Sequence, residues 1–200
     1  MTRWGMVIDL ARCVGCYACS VACKEENGTA AGVWWAPVYE KEVGKYPTVT
    51  RVFLPTLCMH CGDPPCMKAC PTGAISKRED GIVLIDQDIC CGTRACVVAC
   101  PYGAITYVKE QQGEFGKERT PYEKVAVKMR AGVAQKCTFN VQRIDEGIHE
   151  PACVQTCPTK CRIFGDLNDP TSEVSKLIRN RRGQQPRPEA GTDPSVWYLW

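Results

Sequence analysis

Histidine is almost missing from this chain of 200 residues: His60 and His149 are the only two. Imidazole is the side chain that titrates nearest neutral pH, so proton transfer by histidine is not a theme here. No Ser/His/Asp set, phosphate-cradling glycine loop or flavin fingerprint is present either, which leaves the chain without equipment for substrate chemistry of its own. Long apolar runs are also absent. A bilayer-spanning helix needs about 20 apolar residues, and no uncharged stretch approaches that. The opening residues Met1 to Asp9 carry no apolar h-region of a secretory signal. These absences point to a soluble chain, with any membrane attachment or export supplied by a partner.

Cysteine, by contrast, is abundant: sixteen residues, in four groups. Secreted disulfide scaffolds are usually short, and C-x2-C pairs at this density favour metal over disulfides. A zinc-stabilised interaction module is the stronger competitor, since four thiolates suit Zn2+. Zinc knuckles, however, come as two C-x2-C pairs separated by a longer loop. Here three or four cysteines fall close together and end on Cys-Pro, the arrangement of iron–sulfur ligation. The formal charge of +3 therefore does not argue for nucleic acid, because four clusters of about −2 each bring the loaded chain to about −5. Arg12, Lys24, Arg94 and Lys136 stand beside cysteines, where cations offset cluster charge, or are simply solvated.

The centre of the chain is a repeat: Cys58-x2-Cys61-x4-Cys66-x3-Cys70-Pro71, then Cys90, Cys91, Cys96 and Cys100-Pro101. The first copy continues Thr72-Gly73-Ala74-Ile75 and the second Tyr102-Gly103-Ala104-Ile105. This is a two-cluster ferredoxin repeat, in which three cysteines wrap one cluster and the fourth crosses to the other. Pro71 and Pro101 are expected in the first turn of a helix, where a missing N–H costs nothing. Thr93 occupies the usual second-ligand position of the second copy; either Cys91 substitutes through an altered loop, or the site holds a three-iron cluster. His60, between two ligands, is expected to point outward or to donate a hydrogen bond.

Upstream lies Cys13-x2-Cys16-x2-Cys19-x3-Cys23, with Lys24 where proline is usual; downstream lie Cys137, Cys153, Cys157-Pro158 and Cys161. Asn140 stands where Cys137-x2 should reach a ligand, so Cys161 is the candidate replacement. Cys23 and Cys157 lack neighbouring partner runs, and the economical solution pairs the first and last runs across the fold, bringing the chain ends together.

The expected architecture is α+β: two ferredoxin-like bis-cluster units with pseudo-twofold symmetry in one compact cluster-filled body. Residues 1–24 with 137–167 form one unit and 58–105 the other. Residues 25–57 connect them, and 106–136, with charges such as Lys117-Glu118-Arg119, form a surface insertion. Within these, Gly5–Asp9, Thr48–Phe53 and Gly81–Asp86 read as strands, and Val125–Val133 as a short helix or strand. Trp34-Trp35 is either a docking surface or a cover over a cluster. In 168–200, Ser172 and its neighbours start a helix over Glu173–Asn180 with Val174, Leu177 and Ile178 on one face. The tail ending Val196-Trp197-Tyr198-Leu199-Trp200 is too apolar to float free and is expected to pack on the body or on another subunit.

With these runs placed, the chain resembles the iron–sulfur electron-transfer subunits of the molybdopterin oxidoreductases (dimethyl sulfoxide reductase family), especially those of polysulfide, thiosulfate and arsenate reductases. The phrases that carry the likeness include Cys70-Pro71-Thr72-Gly73-Ala74, Lys136-Cys137-Thr138-Phe139, Pro151-Ala152-Cys153 and Phe164-Gly165-Asp166-Leu167. The resemblance implies four clusters, mostly [4Fe-4S]: one on Cys13, Cys16, Cys19 and Cys157, and one on Cys58, Cys61, Cys66 and Cys100. A third falls on Cys90, Cys96 and Cys70 with Thr93 vacant, and a fourth on Cys137, Cys153 and Cys23 with Asn140 vacant. The similar subunits of respiratory nitrate reductases carry a [3Fe-4S] cluster at the position matching Thr93. It further implies an electron-transfer subunit with no catalysis of its own, a large molybdopterin (Mo or W) partner and an integral membrane quinone-reactive partner. Periplasmic location follows from relatives exported with a signal-bearing partner; cytoplasm is the alternative. A soluble polyferredoxin-like or hydrogenase-associated carrier is the competing function.

Overall fold

The computed structural model describes residues 1–116 and 118–200; Lys117, within the expected insertion, lies outside the described residues. In chain order the strands are β1 (Trp4–Asp9), β2 (Val38–Val43), β3 (Thr50–Pro55), β4 (Ile75–Lys77), β5 (Val83–Ile85), β6 (Thr106–Val108), β7 (Val133–Gln135), β8 (Arg162–Asp166) and β9 (Val196–Leu199). The helices are α1 (Ala18–Asn27), α2 (Pro65–Lys68), α3 (Ala95–Ala99), α4 (Pro121–Ala126), α5 (Val141–Asp145), α6 (Ala152–Gln155) and α7 (Glu173–Asn180). Most are short, because loops that wrap cysteines take up the chain between them.

β1 is the central strand of the largest sheet, between antiparallel β8 and parallel β9. Side chains alternate across a strand, so Met6 and Ile8 enter the cysteine-rich core while Val7 enters a smaller cluster with Ile163, Val174 and Leu199. Both faces are covered, which is why the strand reads as a continuous apolar run. Trp4 pairs with Asp166, so the chain's first strand does meet its distant downstream partner.

The C-terminal tail packs on this body: Val196 and Leu199 are buried in β9. Ser195 donates through N to Met59 O and through Oγ to His60 O, each over 2.8 Å. Tyr198 OH donates to Pro55 O over 2.9 Å. The tail thus ties the segment that carries Cys58 and Cys61 to β1. Helix α7 has the expected bounds, with Ser172 Oγ accepting from Ser175 N at its start.

Several local expectations are corrected. Pro71 and Pro101 lie just past α2 and α3, in turns, and so do not open helices. A proline disfavours helical geometry in the residue before it, so Cys-Pro ends the helix that carries the preceding cysteine. In the first run Lys24 replaces that proline; α1 continues to Asn27 and ends at Gly28 in the left-handed conformation. The connection 25–57 contains a hairpin, β2 with β3, in place of the single expected strand. The insertion 106–136 is not wholly surface: β6 and β7 pair at its ends, with Val108, Val133 and Ala134 buried. Val125–Val133 is no single element, but the end of α4, a loop and the first residue of β7.

Candidate iron–sulfur sites

Cys58, Cys61, Cys66 and Cys100 line one cavity, together with Pro64, Pro65 and Tyr102. Pro65 opens α2, so the widened interval in this run builds the turn that carries Cys66. Burial, then the Cys58 charge, pushes the Cys66 thiol up to about 12. Burial also pushes Cys61 up to about 11, against a hydrogen bond from Thr192. Such thiols give up their protons only to a strong positive partner.

A second cavity is lined by Cys70, Cys90 and Cys96, with Cys91 and Thr93 on its wall. Cys96 is raised by burial and by Cys90 and Cys70, so these three lie within electrostatic reach. Gly92 has φ +71°, and a Cβ there would stand 2.4 Å from Gly132 O, so the loop that turns between Cys91 and Thr93 needs glycine. Cys91 itself is exposed.

The outer runs meet as well. Cys23 is raised well above the ordinary thiol value by burial and then by Cys137 and Cys153. Phe139 N donates to Cys137 Sγ over 3.4 Å and Asn27 Nδ2 to Cys23 Sγ over 3.5 Å. Asn140 sits beside them, buried, with its amide donating to Asn27 Oδ1 and its carbonyl accepting from Ala152 N, each over 3.1 Å. Cys161 is not there to replace it. Its Sγ is 3.5 Å from Cys157 Sγ, and Cys13 also faces it. The short Cys157-x3-Cys161 turn keeps it with Cys157. Burial works against a Cys157 thiolate, yet N–H groups of Cys161 and Arg162 and the side chains of Cys161 and Thr159 outweigh it and bring the thiol down to about 7.

The four groups lie close to one another. Cys19 raises Cys153, and Cys58 raises Cys137, so the group at Cys23, Cys137 and Cys153 has a neighbour on either side. Among the described residues, no three Cys, His, Asp or Glu side chains converge at single-ion spacing. The two central groups each line a cavity, the arrangement that a cluster of iron and sulfide takes up.

His60 departs from expectation. It is fully buried, stacked on Phe139 with centroids 3.8 Å apart, and its Nδ1 accepts from Val83 N over 3.1 Å. Burial and the nearby Lys136 ammonium hold it well below the usual imidazole value, hence neutral. It does not point outward; Nδ1 accepts, so the ring proton is on Nε2, whose neighbour is the Cys137 backbone. Trp34 and Trp35 part company: Trp35 is buried in the core, while Trp34 is partly exposed under the Lys24 ammonium, 5.0 Å from its centroid.

Three stretches match domains described as 4Fe-4S dicluster domains: residues 12–74, 49–117 and 108–167. The chain is 45% identical to a selenate reductase subunit of Mesobacillus selenatarsenatis, over 98% of this chain and 72% of that one. It is 40% identical to the arsenate respiratory reductase iron–sulfur subunit of a Shewanella species (strain ANA-3), over 98% and 96%. The chain belongs to the iron–sulfur electron-transfer subunits of the molybdopterin oxidoreductases. It is also 36% identical to the iron–sulfur cluster-binding subunit of the menaquinone reductase of Nitratidesulfovibrio vulgaris, over 98% and 88%.

Membership of this family makes the chain the electron carrier of a complex whose catalysis lies on a separate molybdopterin subunit. The dicluster matches imply four [4Fe-4S] clusters, and the buried groups fit them. Among the described residues, Arg162 is fully buried with its Nε and Nη2 lacking any partner, beside Cys153. Orphaned donors of this kind suit the sulfur of a bound cluster. Arg162 is absent from the cations that the sequence singles out, although it directly follows Cys161 and so meets the rule that selects Arg12, Lys24, Arg94 and Lys136. Of those four, Lys136 is buried, and Arg94 stacks over Tyr107 at 4.6 Å.

Proposed function

We propose that this subunit relays single electrons along four clusters in the order Cys13/Cys16/Cys19/Cys157, Cys23/Cys137/Cys153, Cys58/Cys61/Cys66/Cys100, Cys70/Cys90/Cys96. The observation that carries this order is the reach of Cys19 to Cys153 and of Cys58 to Cys137. The exchange of Cys70 and Cys100 between the two central groups extends it. When bound, the clusters supply the one-electron chemistry. The chain holds them at short range, keeps water from the buried thiolates and donates N–H groups to sulfur.

Residues 1–24 with 137–167, and 58–105, act as two ferredoxin-like units related by a pseudo-twofold. Thr93 and Asn140 leave two clusters with three thiolates each, and the Thr93 site is the one suited to a [3Fe-4S] cluster. The molybdopterin subunit takes one end of the relay and a quinone-reactive membrane protein the other, in line with the similarity to a menaquinone reductase subunit. The complex faces the periplasm.

The test is reduction of the whole complex by a menaquinol analogue, followed by freeze-quench EPR. Signals from all four clusters growing at the rate of quinol oxidation support the relay. Quinol oxidation that leaves every cluster untouched overturns it.

A further inference from the structure

Arg162 carries a positive charge in the interior without a carboxylate to balance it. It opens β8, pairs with Ile8 of β1 and is 1% exposed. The one buried carboxylate among the described residues, Asp9, is paired with Arg181 and Arg12. The Arg162 Nη1 lies 3.9 Å from both Met6 Sδ and Cys153 Sγ, while Nε and Nη2 have no partner. Arg162 directly follows Cys161, whose Sγ is 3.5 Å from Cys157 Sγ. Cys153 belongs to one proposed cluster site, and Cys157 to the next. Lys136, the other buried cation among the described residues, differs: its ammonium is already held by the carbonyls of Val83 and Cys137.

An arginine presents its donors in a rigid planar fork, so it can address two acceptors from one position. A positive charge and hydrogen bonds to sulfur both favour the reduced, more negative form of a cluster. We infer that Arg162 is a positioning residue of the electron path, donating from Nε and Nη2 to sulfur of the Cys13/Cys16/Cys19/Cys157 and Cys23/Cys137/Cys153 clusters and raising both potentials together. This rests on the ligand sets proposed above. It assigns to one side chain the redox matching of two successive carriers.

The experiment is EPR-monitored redox titration of the complex carrying Arg162→Gln or Arg162→Lys, with iron and acid-labile sulfide measured on each sample. In Arg162→Gln the one-electron reduction constants of two clusters fall about tenfold or more, equivalent to about 59 mV; the other two hold. Arg162→Lys, which keeps the charge and loses the fork, gives a smaller fall in the same two. Full iron content with four unchanged potentials overturns the inference and leaves the ligand sets standing. Wild-type protein without iron or sulfide instead overturns the ligand sets themselves. Should the variants fail to hold iron, the wild-type complex labelled with guanidino-15N arginine decides: a 15N hyperfine coupling to a reduced cluster is expected, and its absence contradicts the assignment.

Discussion

Asn140 donates its side-chain amide to Asn27 Oδ1 over 3.1 Å, tying the loop after Cys137 to the end of α1, 113 residues away. Its carbonyl takes the Ala152 N–H that opens α6. Both polar atoms are thus engaged in holding together the loops that carry Cys23, Cys137 and Cys153. Asn140→Ala leaves two buried groups unpaired and costs about 1–3 kcal/mol for each, read as a lower denaturation midpoint of the loaded protein. Asn140→Cys adds a thiolate, and iron loss from this site on mild oxidation, followed by EPR, is expected to stop.

Cys91 is exposed while Cys70, Cys90 and Cys96 lie within reach of one another. Cys91→Ser should leave iron content and every EPR signal unchanged. Thr93→Cys restores a fourth thiolate and should abolish any three-iron signal of the oxidised protein. A signal lost in Cys91→Ser would make Cys91 the fourth ligand.

Cys161 sits 3.5 Å from Cys157, and a ligated Cys157 has no proton, so the Cys161 S–H is the donor between them. Cys161→Ala is therefore expected to retain its iron. The potential of one cluster should fall, because a hydrogen bond to ligand sulfur is lost. Loss of a whole cluster would show that Cys161 is itself a ligand.

Leu199 is buried in β9 among Val7, Ile163 and Val174. Leu199→Ala should cost about 2–5 kcal/mol, as buried leucine truncations do, measured by denaturant titration under anaerobic conditions. An unaltered midpoint would mean that the tail contributes little to the body.

What the sequence made legible was local. The cysteine runs are defined by intervals of a few residues. Helix α7 has an amphipathic period with Ser172 at its start, and β1 is an apolar run that needs no partner to be recognised. Strand β2 was hidden because Glu40, Lys41 and Glu42 read as a solvated loop, and its residues after Val38 are indeed exposed. The pairing of β6 with β7 escaped because three-residue strands leave too little periodicity, and a long polar loop lies between them. Burial of His60 depends on Phe139 and Val83, remote in sequence. The side chosen by Cys161 depends on one tight turn after Cys157, which no ligand-spacing rule describes.

The most direct test of the central claim is iron and acid-labile sulfide analysis of the anaerobically purified complex, combined with EPR before and after reduction. The expected result is about fifteen to sixteen irons and about sixteen acid-labile sulfides per chain, the lower iron figure if the Thr93 site holds a [3Fe-4S] cluster, and signals from interacting clusters on reduction. A folded, colourless chain containing zinc and no acid-labile sulfide would contradict it.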